Sequence, residues 1–268
     1  MYQREGFPGA ALGFKVVNPQ KASLNLTIVI PTYNEAENLP KLAATLFALP
    51  MSGLNLLVVD DNSPDGTGQI AEDLGIETGG RVKVIHRPGK TGLGSAYIQG
   101  FGQALAQGAE VVGQMDADFS HPIDKIPALV EALSSTDVAI GSRYVPGGAL
   151  DERWPFWRKG LSAFGNYYAR SILGLKVQDT TGGFRFWRRE TLLGMPLERV
   201  KSNGYVFQVE MIYLASILGY NAQELPIYFA DRRWGQSKMS LRIQLEAAYR
   251  VWFLPGIYAD LRGKRPLV

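Results

Sequence analysis

The sequence predicts an α/β fold in which helices cover both faces of a mostly parallel, doubly wound sheet. Between residues 26 and 144, short apolar runs alternate with helical segments in the manner of repeated βαβ units. Most of these runs are almost continuously apolar, as strands covered on both faces should be. Because ligands bind beyond the carboxyl ends of such strands, the residues that follow each run are the first candidates for a site.

Five runs are expected to be strands, namely Leu26–Ile30, Leu54–Val59, Val82–Ile85, Val111–Met115 and Val138–Ile140. The first helix is expected to begin at Asn34, because Glu37 stands three residues later in the arrangement of a capping box. After Pro146 the pattern changes. A basic, aromatic-rich amphipathic helix is predicted over Arg153–Leu175, and a second amphipathic helix over Met239–Phe253.

One continuous domain of three parts is expected. Residues 1–25 form a loose arm, residues 26–145 the α/β half, and residues 146–268 a second half that carries the amphipathic helices. The chain has no cysteine, which excludes disulfides, thiolate metal sites and cysteine nucleophiles and favours a cytoplasmic location. The most apolar segment, Met211–Gln223, is too short to span a bilayer.

Charge is distributed unevenly along the chain. Residues 1–150 contain 10 basic and 15 acidic side chains, a net charge of −5, whereas residues 151–268 contain 18 and 10, a net charge of +8. The basic half is therefore expected to face an anion. Nucleic acid, phospholipid head groups and a phosphorylated substrate all satisfy this expectation, and composition alone does not choose among them.

Two acidic segments follow predicted strands. Asp116 and Asp118 could hold Mg²⁺ or Mn²⁺ beside a bound diphosphate, because such ions need only one or two protein carboxylates there. The alternative is a solvated turn. Asp60 and Asp61 suit the hydroxyls of a base or ribose, whereas the alternative is a turn that caps the next helix.

A glycine-rich segment, residues 90–94, leads into a predicted helix. It fails the dinucleotide fingerprint because Tyr97 stands at the third glycine position, so an NAD enzyme is not expected. The segment could bring backbone N–H groups to an anion, with Arg87 or Lys90 adding charge, or it could be a plain tight turn. His86 and His121 are expected to serve turns or packing rather than catalysis.

Basic residues gather near turns in the second half of the chain. Arg143, Arg185 and the segment Asp231–Lys238 join Arg158 and Lys159 in this group. Guanidinium groups bind phosphate in a bidentate manner, so the collection favours a phosphorylated acceptor.

Eight segments follow one another in a familiar order: VIPTYNEAENL (Val29–Leu39), VVDDNSPDGT (Val58–Thr67), RPGKTGLGSAY (Arg87–Tyr97), MDADFSHP (Met115–Pro122), GSRY (Gly141–Tyr144), DTTGGFRFWRRE (Asp179–Glu190), GYVFQVEM (Gly204–Met211) and DRRWGQSKMS (Asp231–Ser240). Through these segments the chain resembles the family 2 glycosyltransferases of GT-A fold, and within them the polyprenyl-phosphate (dolichyl-phosphate) mannose synthases.

The resemblance implies a role for each matching position. Donor binding is implied for Pro31, Tyr33, Glu35, Asp60, Asp61, Lys90, Asp116 and Asp118. Metal binding is implied for Asp116, Asp118 and Ser120, although some relatives carry glutamine at the last position. Phosphate or acceptor binding is implied for Arg143, Arg158, Ser162, Lys238 and Arg232, with Arg233 as the alternative to Arg232. Asp118 and Arg143 are the residues expected to be catalytic.

The activity implied by the resemblance is metal-dependent, inverting transfer of mannose from GDP-mannose to polyprenyl phosphate. Its acceptor is already anionic, so no residue has to remove a proton. Two alternatives stay open: transfer of glucose from UDP-glucose to the same lipid, and a noncatalytic module that binds nucleotide or lipid. A processive polysaccharide synthase is not expected, because the Gln-x-x-Arg-Trp signature is absent.

The lipid acceptor implies peripheral contact with the cytoplasmic face of a membrane. The two amphipathic helices are expected to provide it, with aromatic residues at the interface and basic residues near lipid phosphates. The alternative is that both apolar stripes pack on the core. Neither a nucleic-acid partner nor an obligatory protein partner is expected.

Overall fold

The structure, a computed structural model, describes residues 24–231 and 249–264. Within these residues the strands are β1 (Leu26–Thr32), β2 (Leu54–Asp60), β3 (Val82–His86), β4 (Val111–Gln114), β5 (Val138–Ser142), β6 (Ala149–Leu150), β7 (Arg185–Arg188), β8 (Ala222–Pro226) and β9 (Tyr228–Phe229). The helices are α1 (Leu39–Phe47), α2 (Thr67–Glu77), α3 (Leu93–Ala106), α4 (Ile126–Ala132), α5 (Phe156–Leu173), α6 (Arg189–Leu193), α7 (Gly204–Ile217) and α8 (Leu254–Ile257).

Seven strands form the main sheet in the order β3-β2-β1-β4-β7-β5-β8. All neighbours are parallel except β7, which lies antiparallel between β4 and β5. Strands β6 and β9 form a separate parallel pair. The predicted α/β class with a doubly wound, mostly parallel sheet is therefore confirmed, and all five predicted strands are present.

The core explains why the strand sequences are continuously apolar. Ile28 and Val29 are neighbours on β1, yet they belong to two different buried clusters on opposite faces of the sheet. Helices α3 and α7 contribute to one cluster, and α1, α2 and α4 to the other. Residues 206–215 of α7 are all buried, so much of the most apolar segment of the sequence is a core helix. Among residues 24–231 and 249–264, no helix is long and apolar enough to cross a membrane.

The predicted start of the first helix at Asn34 is wrong, because α1 begins at Leu39. Asn34 has a φ of +60°, which is incompatible with a helical residue. The backbone N–H groups of residues 34–36 bind side chains of the loop after β2 and of the first residue of α2 instead of starting a helix. Their acceptors are Ser63 Oγ, Thr67 Oγ1 and Asp65 Oδ2, respectively.

Helix α5 forms within the predicted amphipathic stretch, and its aromatic residues are largely solvent-exposed. Trp157 and Phe164 each expose 61% of their surface, while Ala169 and Leu173 are buried against the core. Of the second predicted helix, residues 239–248 lie outside the described residues, and residues 249–251 are helical. Of the predicted arm 1–25, only residues 24 and 25 are described.

Candidate active site

The predicted site residues on the first two strands meet at one edge of the sheet. Thr32, near the end of β1, pairs with Asp60 at the end of β2. Asp60 is buried and accepts hydrogen bonds from Thr32 Oγ1 (3.0 Å) and from the Ser63 N–H (3.0 Å). Its carboxylate therefore links the loop after β2 to β1. Pro31 precedes Thr32 within β1.

Asp61 is more accessible than Asp60 and forms an ion pair with the buried Arg87. Burial raises the pKa of Asp61 above its ordinary value, although the charge of Arg87 and its hydrogen bond oppose that shift. Nearby, the Lys90 ammonium lies 3.1 Å from the centroid of the Tyr33 ring, in a cation–π contact. One part of the site thus combines a carboxylate (Asp61), an ammonium group (Lys90) and an aromatic ring (Tyr33).

Glu35, the remaining predicted donor residue, takes part in the turn that precedes α1. Its Oε2 accepts a hydrogen bond from Asn38 Nδ2 at 2.7 Å. Its backbone N–H donates to Thr67 Oγ1 at 2.9 Å. Glu35 therefore links this turn to the loop that follows β2.

The glycines before α3 are required by close packing. A Cβ at Gly92 would lie 2.3 Å from Asn203 Oδ1, and one at Gly94 would lie 2.1 Å from the Ser202 carbonyl oxygen. Gly92 also has a φ of +107°. This part of the structure favours the plain-turn interpretation of the glycine-rich segment over the anion cradle.

The segment from Asp116 to Ser120 makes a sharp turn after β4. Phe119 has a φ of +60°, and the Ser120 N–H donates to Asp118 Oδ1 at 3.1 Å. The Asp116 N–H donates to His121 Nδ1 at 3.2 Å. The turn leaves Asp116 lining a pocket and holds Asp118 largely buried, with 6% of its surface exposed.

This turn has the donor set of a site that would share a divalent cation with a bound diphosphate. In the described part of the chain, no group of three or more His, Cys, Asp or Glu side chains could hold a metal ion by itself. Two carboxylates are enough when phosphate and water complete the coordination shell. The Ser120 hydroxyl is buried and hydrogen-bonds to no group in the described residues, which suits a third ligand.

His121 packs as the sequence predicted. Its ring stacks on Phe184, with centroids 4.9 Å apart, and meets Phe229 edge-on. Burial lowers its pKa below the ordinary value of 6.5, so the ring is neutral near pH 7. Because its Nδ1 accepts from the Asp116 N–H, the ring also helps to fix the turn after β4.

The pocket beside Asp116 joins the two halves of the sequence. It is lined by Asp116, His121, Arg143, Trp154, Arg158, Thr181, Gly182, Gly183, Tyr205, Phe229 and Asp231. One predicted metal ligand and two predicted phosphate-binding arginines therefore share one cavity.

Arg143 lies in this pocket with most of its guanidinium engaged. Its Nε and Nη2 donate to the two carboxylate oxygens of Asp179, each at 2.7 Å, and Nη2 also reaches Thr181 Oγ1 at 2.8 Å. Burial opposes ionisation of Asp179, but the charge and hydrogen bonds of Arg143 outweigh it and hold the Asp179 pKa below its ordinary value. Arg143 is thus a fixed charge with limited freedom to move.

Arg158 is held by longer contacts than Arg143. Its guanidinium lies 3.5 Å from the Trp154 ring centroid and 3.5 Å from Asp231 Oδ1. The Trp154 indole N–H also donates to Asp231 Oδ1 at 3.0 Å. Asp231 begins the predicted phosphate-binding segment, so that segment starts at the pocket. Arg232, Arg233 and Lys238 lie outside the described residues.

Ser162 lies on α5 outside the pocket lining and contacts Tyr144, the residue after Arg143. Its Oγ accepts a hydrogen bond from the Tyr144 hydroxyl at 2.7 Å. Asn166, one turn further along α5, accepts from the backbone N–H groups of Thr180 and Thr181. These contacts attach α5 to the loops that line the pocket.

Three residues near the pocket had no role assigned from sequence. Asp179 stands inside a quoted motif, and its position before two glycines was the available signal. Trp154 lies within the predicted aromatic-rich stretch Arg153–Leu175, and Gln208 lies within the motif Gly204–Met211. Their partners are distant in sequence, so local patterns do not indicate these contacts.

An aromatic surface extends from α5 to the C-terminal described residues. The Trp252 indole N–H donates to the Tyr168 hydroxyl at 2.7 Å, which places the two segments side by side. The exposed members of this surface are Phe156, Trp157, Leu161, Phe164, Tyr167, Tyr249, Trp252, Phe253 and Ile257. We call this group the aromatic surface.

The sequence of the chain is similar to that of known glycosyltransferases. The sequence profile described as "Glycosyl transferase family 2" matches residues 27–193. The polyprenol monophosphomannose synthase of Mycolicibacterium smegmatis is 42% identical over 259 residues, which cover 95% of this chain and 96% of the relative. The undecaprenyl-phosphate mannosyltransferase of Micrococcus luteus is 44% identical over 244 residues, covering 90% and 99%, respectively.

A solved structure also shares the fold. Glucosyl-3-phosphoglycerate synthase from Mycobacterium tuberculosis, crystallised with Mn²⁺, UDP and glucosyl-3-phosphoglycerate, superimposes with a TM-score of 0.60 at 19% identity. The match covers 88% of this chain and 81% of that one. At this identity the likeness concerns the fold, and it confirms the GT-A expectation.

Proposed function

The chain belongs to glycosyl transferase family 2, and we propose that it transfers mannose to the phosphate of a polyprenyl phosphate. Membership confirms the expected enzyme class, a glycosyltransferase. The acceptor and sugar are supported by two relatives of this activity, each matched over nearly the whole of both chains. The observation that carries the proposal within the structure is the single pocket that joins Asp116 to Arg143 and Arg158.

GDP-mannose is the proposed donor. Its nucleotide would lie over the loops after β1 and β2, where Asp61, Tyr33 and Lys90 come together. The Asp61 carboxylate can accept hydrogen bonds from base or ribose hydroxyls, and Lys90 can neutralise phosphate. Asp60, Pro31 and Glu35 would act by holding these loops in place.

A divalent cation, Mg²⁺ or Mn²⁺, would bind at the turn after β4. Asp116 and Asp118 would be its ligands, and the buried Ser120 hydroxyl is the third candidate. When bound, the ion would neutralise charge on the nucleotide diphosphate as it leaves.

The acceptor phosphate would bind at the basic side of the pocket. Arg143 supplies a fixed positive charge there, and Arg158 supplies a cation that can form bidentate contacts. Ser162 would hold the Tyr144 side of the pocket through its hydrogen bond. Arg232, with Arg233 as the alternative, and Lys238 are proposed to complete the phosphate site.

The proposed reaction needs positioning rather than a base. A phosphate oxygen of the acceptor attacks the anomeric carbon, and the bond from that carbon to the diphosphate oxygen breaks, which releases GDP. One displacement of this kind inverts the anomeric centre. Asp118 would act by shaping the donor side of the pocket. Arg143 would orient the attacking phosphate and stabilise negative charge on the reacting groups.

We also propose that the aromatic surface rests on the cytoplasmic face of a membrane. Its exposed rings suit the interfacial region, and Arg158 and Lys159 on α5 would meet lipid phosphates there. The surface begins beside the pocket, because Phe156 and Trp157 directly precede Arg158. A lipid whose phosphate enters the pocket would then keep its chain in the bilayer.

The test of the proposed function is transfer from a panel of labelled sugar nucleotides. Purified protein is incubated with polyprenyl phosphate and GDP-mannose, UDP-glucose or GDP-glucose, with and without a chelator, and label in the lipid phase is counted. We expect label from GDP-mannose alone and its loss with chelator. Label from UDP-glucose instead would establish the glucosyl alternative, and no label from any donor would favour a binding module.

A further inference from the structure

A buried chain of hydrogen bonds fixes the orientation of Gln208. The Trp187 indole N–H can only donate, and it donates to Gln114 Oε1 at 2.9 Å. Gln114 Nε2 must therefore be the donor to Gln208 Oε1, at 2.7 Å. These two bonds fix the orientation of both side-chain amides. The oxygen of the Gln208 amide is used in this chain, and its Nε2 is not.

The Nε2 group of Gln208 lies beneath the pocket lining, next to Gly183. A Cβ added to Gly183 would lie 3.4 Å from Gln208 Nε2, 3.8 Å from His121 Cε1 and 4.0 Å from Asp116 Oδ1. Gly183, His121 and Asp116 all line the pocket. Three groups thus converge on a position that the missing side chain of Gly183 leaves open.

Gln208 is also held firmly from behind. Only 2% of its surface is exposed, and its backbone carbonyl oxygen accepts a 2.6 Å hydrogen bond from Arg185 Nη1. A side chain fixed in this way can present one donor in one direction without further loss of conformational freedom.

The position of this donor indicates its partner. Asp116, Arg143 and Arg158 all line the pocket. In the proposed function Asp116 serves the donor, and Arg143 and Arg158 serve the acceptor. The transferred hexose has to lie between its diphosphate and the attacking phosphate. A neutral amide beside Asp116 suits a sugar hydroxyl, and it cannot remove a proton.

Resting on the proposed function, we propose that Gln208 Nε2 donates a hydrogen bond to a hydroxyl of the hexose and thereby contributes to the choice of sugar. A buried donor that loses its partner is costly, so a sugar without a hydroxyl at that point binds less well. Gly183 leaves the space in which this hydroxyl lies.

A double-mutant cycle tests this contact. The kcat/KM of the wild type and of Gln208→Met is measured with GDP-mannose and with analogues that each lack one mannose hydroxyl. For one analogue, the penalty in the wild type should exceed that in Gln208→Met by about fivefold to tenfold. Equal penalties in the two proteins for every analogue would overturn the proposal.

A matched control removes the other amide of the same chain. Gln114→Met also deletes a buried amide, but it keeps Gln208 Nε2. It should lower kcat/KM for all donors, and the penalty specific to one hydroxyl should be smaller than in the wild type, because Gln208 loses the bond that orients it, but larger than in Gln208→Met. Disappearance of that penalty in Gln114→Met with its retention in Gln208→Met would contradict the assignment.

A second variant serves if Gln208→Met does not fold. Gln208→Glu keeps the oxygen that accepts from Gln114 but replaces the donor with a carboxylate, which can bind a hydroxyl and repels fluorine. Replacing the contacted hydroxyl by fluorine should then cost about tenfold more in Gln208→Glu than in the wild type. An unchanged fluorine penalty at every position would reject the contact.

Failure of this inference differs from failure of the proposed function. If the wild type transfers mannose but no analogue shows coupling to Gln208, only the contact is wrong. If the wild type transfers a different hexose, the same cycle is run with that sugar and has the same two outcomes. If no sugar is transferred, the proposed function and this contact both fall.

Discussion

Arg143 and Asp179 form a buried, bidentate ion pair, with Nε–Oδ2 and Nη2–Oδ1 distances of 2.7 Å. The same carboxylate accepts the backbone N–H groups of Arg143 (3.0 Å) and Gly182 (2.8 Å). One side chain therefore joins the end of β5 to the loop before β7, and this loop carries Gly183 into the pocket. The arrangement of these two loops therefore rests on a contact that neither residue indicates alone.

Replacing Asp179 by asparagine should destabilise the protein. The substitution leaves the Arg143 charge buried without its carboxylate, and breaking such a pair costs about 3–5 kcal/mol of unfolding free energy. Urea denaturation followed by circular dichroism measures the change. Asp137→Asn is a comparison, because that acid caps the exposed Asn221 N–H. A loss at Asp179 no larger than that at Asp137 would contradict a central structural role.

Stability should also depend on pH through Asp179. Its pKa is lower in the folded than in the unfolded protein, despite burial, because of the charge and hydrogen bonds of Arg143. The stabilisation is therefore complete above the ordinary value of 3.8 and is lost as pH falls through the folded value. Unfolding free energies measured at intervals below pH 5 should fall less steeply in Asp179→Asn than in the wild type. Identical slopes would mean that Asp179 does not contribute.

Asparagine at Asp116 or Asp118 should abolish most of the transfer. Each substitution removes a proposed metal ligand, and we expect kcat to fall by at least about 100-fold. Asp124→Asn is the matched control, because this acid is exposed and lies a few residues along the same segment. Mn²⁺ binding measured by isothermal titration in the presence of GDP separates ligation from folding. Unchanged Mn²⁺ affinity in both variants would remove these residues from the metal site.

Substituting Lys90 by glutamine should weaken donor binding more than catalysis. The change removes the charge that lies against the Tyr33 ring and beside Asp61. We expect the KM for GDP-mannose to rise about fivefold to tenfold, with little change in the KM for polyprenyl phosphate. Lys83→Gln, an exposed lysine on the neighbouring strand β3, provides the comparison. Equal effects of the two substitutions would argue against a donor contact.

Removing two rings from the aromatic surface should weaken membrane binding. We expect Trp157→Ser with Phe164→Ser to reduce flotation with anionic vesicles by about tenfold or more. Ile76→Ser is the matched control, because Ile76 is 81% exposed on α2 in the other half of the chain. Binding unaffected by the double substitution, or reduced equally by Ile76→Ser, would mean that another surface meets the lipid.

The sequence predicted the sheet well because its strands are buried on both faces. Ile28 and Val29 enter two different clusters, and only a nearly continuous apolar run satisfies both. The start of α1 was not predictable in this way. The turn at Asn34 depends on side chains of residues 63–67, which lie in the next loop and at the start of α2 and compete with the local capping signal.

The same limit applies to the candidate site. Asp116 and Asp118 are predicted as candidates because they follow a strand, where position alone carries information. The pairing of Arg143 with Asp179 spans 36 residues, and the contact of Gln114 with Gln208 spans 94. Such pairs are set by tertiary packing, and a single sequence contains no local signal for them.

Mass spectrometry of the lipid product tests the central claim most directly. Purified protein is incubated with polyprenyl phosphate, GDP-mannose and Mg²⁺, and the extracted lipid is weighed and its sugar identified after mild acid release. The proposed function predicts a polyprenyl phosphate heavier by one hexose, which is released as mannose. Recovery of unmodified lipid, under conditions in which the Micrococcus luteus relative forms its product, would contradict it.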